Sequence, residues 1–154
     1  MIQRIQTVFL FLAVIALVVF NIIPYWQATG QPEGEGVLLL SYALQTGDLV
    51  EPTYNFGLYS VVGGIAALAI ILLVIEIFSY KNRLTQMRIA IGISFLMSLD
   101  LVLMTFLIVD LQGDYEGSFG IGIFVFALAM LLNILARRFI QKDEKLVRSV
   151  DRLR

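Results

Sequence analysis

The sequence predicts an all-α membrane protein: a four-transmembrane-helix bundle with both termini cytoplasmic, a small extracytoplasmic loop cap and a cytoplasmic amphipathic C-terminal helix. Three observations predict it. Hydrophobic residues make up 59% of the 154-residue chain, above the roughly 45–50% usual in a soluble domain. Four apolar stretches run over about 7–23, 58–78, 89–109 and 119–136, each within the roughly 17–25 residues a helix needs to cross a bilayer. All eleven Lys and Arg residues fall on one side of those stretches.

Charge sets the orientation. Arg4 precedes the first stretch, Lys81, Arg83 and Arg88 lie at the junction of the second and third, and the other basic residues follow the fourth. The outer loops, 25–57 and 110–118, hold Glu33, Glu35, Asp48, Glu51, Asp110, Asp114 and Glu116 and no base. Positive charge beside a span stays in the cytoplasm, so the N and C termini are both expected there. Arg4 before an apolar core, with Ala28-Thr29-Gly30 after it, also fits a cleaved leader. With the chain retained from Met1, the stretch is read as a true span. Tyr25, Trp26, Tyr54, Phe56, Tyr59, Tyr115 and Phe119 are expected at the outer headgroups and Tyr80 at the inner ones.

The first outer loop is too long for a bare connector. Gly30, Pro32, Gly34 and Gly36 open it, then come Val37–Leu44, a turn signal at Thr46-Gly47-Asp48, and Leu49–Asn55. This pattern predicts two short strands joined by a turn, a β-hairpin over the outer end. An interfacial helix at Val37–Leu44 is the competing reading.

The domain reading is a bundle over 1–136 followed by a basic amphipathic cytoplasmic tail over 137–154. In the tail, Phe139, Leu146, Val150 and Leu153 fall within about 60° of one another at 100° per residue. Charge occupies the other face, with Glu144 four residues before Arg148 in the favourable order. Arg137, Arg138, Lys142, Lys145, Arg148 and Arg152 are therefore read as a docking tail for anionic lipid, with a cytoplasmic partner as the second reading.

Three polar groups lie within the spans. Asp100 is about midway along the third, where a carboxylate costs roughly 2.5–3.5 kcal/mol. Glu76 lies a turn from the inner end of the second, within reach of Lys81 or Arg83. Asn133 lies at similar depth in the fourth. Ser94, Ser98 and Thr105 point about 120–160° away from Asp100, while Met97 and Met104 lie beside it. Ser60, Gly63, Gly64 and Ala67 group opposite Glu76. Small and hydroxyl residues allow close helix approach, so these strips are expected to be packing seams inside the bundle. Asp100, Glu76 and Asn133 then become candidate partner contacts, facing another subunit or a second copy. The competing reading buries Asp100 within the monomer, protonated or bonded to a hydroxyl. In the fourth span, Gly122, Phe126, Ala129, Asn133 and Ala136 share a face within about 80°, a further close-packing strip.

The chain has no Cys and no His, which removes disulfides, the usual zinc and haem ligands and the commonest acid–base catalyst. No catalytic, cofactor-binding or metal-ligating residue is assigned, no cofactor is expected, and the chain is read as not an enzyme. Glu33 and Glu35 would need a shaped cleft to separate their pKa values. Gly120-Ile121-Gly122 lacks a phosphate-binding continuation. The spans contain no Pro, and a proton relay needs more ionisable groups than one near the midplane. The expected partners are membrane lipids and other membrane-protein subunits or a second copy, not nucleic acid.

Three stretches carry a resemblance: Met1-Ile2-Gln3-Arg4-Ile5-Gln6-Thr7, Asn82-Arg83-Leu84-Thr85-Gln86-Met87-Arg88, and the ending from Asp143-Glu144-Lys145-Leu146 to Asp151-Arg152-Leu153-Arg154. Together they resemble the bacterial membrane family known as domain of unknown function 4293, over the whole chain. The resemblance implies a small four-span bacterial inner-membrane protein and carries no activity, cofactor or site. In outline the chain also resembles claudin-like four-span proteins, with a long first outer loop and a short second one; a fold-level likeness warrants no function. The function expected is a structural or accessory subunit of a larger membrane complex. The alternative is a homo-oligomeric pore or small transporter component using Asp100.

Overall fold

The computed structural model describes residues 3–28, 36–47, 52–80 and 82–151. They form α1 (Gln3–Phe20), β1 (Trp26–Ala28), β2 (Gly36–Leu39), β3 (Leu44–Gly47), β4 (Thr53–Asn55), α2 (Leu58–Phe78), α3 (Arg83–Gln112), β5 (Gly117–Phe119) and α4 (Ile121–Asp151). Three helices are long and apolar enough to cross a membrane: α2, α3, and α4 through Leu146, with mean hydropathies of 2.8, 2.2 and 2.0. Ile5–Phe20 in α1 is a shorter apolar helix.

α1 stops at Phe20 rather than Ile23 because Asn21 closes it. The Asn21 side-chain amide donates to the Leu17 oxygen at 2.9 Å, and Pro24, which has no N–H to give, follows. α1 then lies along α4, from Phe9 stacked on Phe139 (centroids 5.4 Å apart) to Phe20 against Phe126 (4.9 Å). α2 packs on both α1 and α3, and α3 packs on α4, closing a ring of four. Each helix buries a stripe at intervals of three, four or seven residues. The stripes are Leu10, Ala13, Leu17 and Phe20; Val62, Ala66, Ala69 and Leu73; Ala90, Ile93, Met97 and Met104; and Phe126, Ala129, Ala136 and Ile140.

The sheet is antiparallel throughout, in the order β4-β3-β2-β1-β5. Trp26 of β1 stands opposite Leu39 on one side and Phe119 on the other, so the second outer loop joins the first. The expected hairpin is corrected in two respects. An additional reversal comes earlier, at Leu40–Ala43, and divides Val37–Leu44 between β2 and β3, while β3 pairs antiparallel with β4 across the expected turn. Two further strands, β1 and β5, appear, each of three residues. Thr53–Asn55 falls within the expected second strand; Asp48–Glu51 lie outside the described residues.

The early reversal has a local cause. Leu40 N–H donates to Ala43 O at 3.0 Å. The Ser41 hydroxyl donates to Asn21 Oδ1 at 3.0 Å, and Gly63 N–H donates to Ser41 O at 2.7 Å. The Ser60 hydroxyl donates to Tyr42 O at 2.7 Å. The tip is thus pinned between the end of α1 and the first turns of α2. A Cβ on Gly63 would meet Ser41 O at 3.0 Å, so any larger residue would have to push this backbone contact apart.

Tyr25 and Trp26, expected at the headgroups, are fully buried beneath the sheet. Gly120 and Gly122 donate their N–H groups to Tyr25 O and Pro24 O at 2.9 and 3.1 Å. A Cβ on Gly122 would sit 2.8 Å from Pro24 O, so the Gly-Ile-Gly stretch serves close packing of α4 against the lead into β1. α4 continues unbroken through Arg137 to Asp151. Ile140 and Asp143 are buried, and Arg83 Nη1 donates to Asp143 O at 3.2 Å.

Candidate functional site

The polar residues singled out in the spans lie on the buried stripes. Glu76 continues Val62, Ala66, Ala69 and Leu73 on α2, and Asp100 falls between Met97 and Met104 on α3. Asn133 lies between Ala129 and Ala136 on α4. Glu76 and Asp100 are 0% exposed and Asn133 is 1% exposed within a single chain.

This inverts the expected faces. Among the seam residues, Gly64, Ala67, Ser98 and Thr105 are exposed, while Ser60, Gly63 and Ser94 are half-buried. The cause is local hydrogen bonding. Ser94, Ser98 and Thr105 donate to the Ala90, Ser94 and Leu101 oxygens, each at 2.8 Å. A hydroxyl satisfied by the oxygen four residues back carries little penalty when it faces lipid. A carboxyl has no such local escape and turns inward. Asp100, Glu76 and Asn133 therefore present no surface to a partner in this structure.

Two layers can be distinguished. At the basic end, Gln86 Nε2 donates to Glu76 O at 3.0 Å, and Gln6 is buried on α1. Further in, Asn133 Nδ2 donates to Ser94 Oγ at 3.0 Å and to Ala90 O at 3.5 Å. Asp100 lies fourteen residues beyond Gln86 along α3, about 21 Å at 1.5 Å per residue. The Glu76 and Asp100 carboxyls are accordingly too far apart to act on one bond, where paired carboxyls work at about 5–9.5 Å.

Near the sheet, Asp100 acts on Tyr25. The Tyr25 phenol pKa is raised above its ordinary value, first by burial, then by the Asp100 charge and that of Tyr59. Among the described residues, neither Asp100 oxygen nor the Tyr25 hydroxyl has a hydrogen-bond partner. Among the described residues the same holds at the basic end for both Glu76 carboxyl oxygens and for Gln6 Oε1, Gln86 Oε1 and Arg137 Nε, and further in for Asn133 Oδ1.

Arg83, expected to reach Glu76, turns instead to Asp143 O; Lys81 lies outside the described residues. In the tail, Arg138, Lys142 and Lys145 are exposed and Arg137 is half-buried. The Arg148 side chain and Arg152 lie outside the described residues. Among the described residues, no group of three His, Cys, Asp or Glu could hold a metal ion.

Gln6 and Gln86 were not singled out from the sequence, and Tyr25 only as an outer interfacial aromatic. Gln86 shares the Asp100 face within about 40° at 100° per residue, so carrying the direction of Asp100 down the helix finds it. Gln6 heads the apolar series Leu10, Ala13 and Leu17 in the same way. No local signal marks Tyr25 as a neighbour of Asp100.

No curated protein matches the chain. A family model described as "Domain of unknown function (DUF4293)" matches residues 2–153, nearly the whole length, and the chain belongs to that family.

Proposed function

We propose that the protein is a structural or accessory subunit of a larger bacterial inner-membrane assembly, crossing the bilayer four times with both termini in the cytoplasm. Support for four crossings comes from α1 lying beside α4 between the Phe9–Phe139 and Phe20–Phe126 contacts. By chain order, the strands all join helix ends opposite the end that carries Arg83 and Arg88. Basic residues mark the cytoplasmic side, which puts the sheet outside.

The observation that carries the subunit reading is the outward face of α2 and α3. Gly64 and Ala67 are exposed on α2, and Ser98 and Thr105 on α3. The Gln86–Glu76 bond sets the antiparallel register of these helices, which brings Ser98 level with Gly64. Small and hydroxyl residues let a further helix approach closely. Purification from native membranes into lipid discs tests this. The expected result is a stoichiometric complex, well above the 17.3 kDa of one chain, containing another membrane protein and lost in Gly64→Leu/Ser98→Leu. A monomer from native membranes overturns it. A uniform homo-oligomer favours the pore reading instead, with Asp100 inside each chain rather than in a ring between chains.

A further inference from the structure

We propose that Glu76, Gln6 and Gln86 form an oxygen-donor site for one monovalent alkali cation at the basic end of the helices. The three side chains come from different helices and are 0%, 3% and 2% exposed. All three lie toward the same end of the bundle. Gln86 bonds to the main chain of Glu76. Thr7, Val8, Phe11 and Leu12 of α1 and Ile77 and Phe78 of α2 line one groove, so Gln6 and Glu76, the residues just before Thr7 and Ile77, flank that groove on the buried sides of the two helices.

The donor set is one-sided. Both Glu76 carboxyl oxygens, Gln6 Oε1 and Gln86 Oε1 are buried acceptors with no donor among the described residues. The Gln86 orientation is set by need, since its nitrogen must face the Glu76 carbonyl oxygen and its own oxygen therefore faces away. A proton on Glu76 would turn one carboxyl oxygen into a donor to one other acceptor and leave the remaining two orphaned, at about 1–3 kcal/mol each. A cation among them satisfies several together. Arg137 gives Glu76 no hydrogen bond, since neither Glu76 carboxyl oxygen has a donor among the described residues.

Chemistry narrows the ion. Carboxylate and amide oxygens are hard ligands, and the set contains no nitrogen or sulfur donor that would favour a transition metal. One carboxylate neutralises one positive charge, so a divalent ion would leave net charge in a low-dielectric interior. Sodium and potassium fit both conditions.

The test uses the full chain in lipid discs. Thermal unfolding is compared in sodium, potassium and choline chloride at equal ionic strength, alongside equilibrium binding of radioactive sodium and rubidium. The expected result is saturable binding of one ion per chain and a higher Tm in one or both alkali salts than in choline. Glu76→Gln should weaken binding by about tenfold or more and abolish the salt-dependent part of the Tm; Gln6→Leu should weaken binding. Equal Tm in all three salts, as a protonated and hydrated Glu76 would give, overturns the proposal. So does unchanged tracer binding in either variant. Should Glu76→Gln fail to fold, the wild-type salt comparison and Gln6→Leu still decide. None of these outcomes bears on co-purification of a partner, so the subunit reading stands or falls separately.

Discussion

Gln86 Nε2 donates to the main-chain oxygen of Glu76 at 3.0 Å, tying the first turn of α3 to the last turn of α2. The same oxygen accepts Ser79 N–H at 3.1 Å, so removing the glutamine does not orphan it. Gln86→Leu is expected to destabilise by about 0.5–1.5 kcal/mol, the net value of one hydrogen bond. Denaturant unfolding in lipid discs measures it. A loss well beyond that range would mean the amide holds something more than the carbonyl.

Asn133 and Ser94 offer a cleaner pairwise measurement. Their side chains meet at 3.0 Å, while Ser94 Oγ also serves Ala90 O. A double-mutant cycle of Asn133→Leu and Ser94→Ala should give a coupling near 0.6 kcal/mol, the average for such bonds between membrane helices. Strict additivity would show that the contact contributes nothing.

Adjacent glycines should behave oppositely. A Cβ at Gly63 meets the Ser41 carbonyl at 3.0 Å, whereas one at Gly64 meets nothing within 4 Å. Gly63→Ala should destabilise by about 1–3 kcal/mol through overpacking against backbone. Gly64→Ala should be neutral or stabilising by up to about 1 kcal/mol from helix propensity. Comparing the two melting curves checks this, and equal effects would remove the case for the Ser41 contact.

How much was legible follows from these residues. The apolar stretch 58–78 coincides with α2, because nothing competes with its helix. α3 and α4 run beyond the apolar stretches into polar sequence, since their ends pack on one another through Arg83 and Asp143. Faces were harder to read. Ser98 and Thr105 look like interior packing residues, and only their bonds to the oxygens four residues back reveal why they sit outside. β1 and β5 have three residues each, too few for alternation to register; what makes them strands is their pairing across loops far apart in sequence.

The C-terminal extension should prove structural as well as a surface for lipid. Ile140 is 0% exposed, and Phe139 lies 5.4 Å from Phe9 with rings only 11° apart. Ile140→Ala is therefore expected to destabilise by about 2–5 kcal/mol. Lys142→Ala, at an exposed position, should stay within about 0.5 kcal/mol. Unfolding of both variants in uncharged detergent separates packing from lipid attraction. Equal, small effects would return the segment to a free tail.

Tyr25 should make the fold sensitive to alkali. Burial first, then the Asp100 charge and that of Tyr59, raise its phenol above the ordinary pKa of 10.0. As pH climbs past 10.0, the phenol of the unfolded chain ionises while the folded one keeps its proton. The unfolded state then binds fewer protons, so stability falls as pH rises. The contribution is fully present below pH 10 and is lost as pH climbs from there through the folded value. The slope approaches about 1.4 kcal/mol per pH unit for one group. Tyr25→Phe removes the titrating group along with a hydroxyl that has no partner. Its stability at neutral pH should be unchanged or slightly higher, and its alkaline decline shallower than that of the wild type. Parallel declines between pH 9 and pH 12 would show that other groups control the alkaline limit.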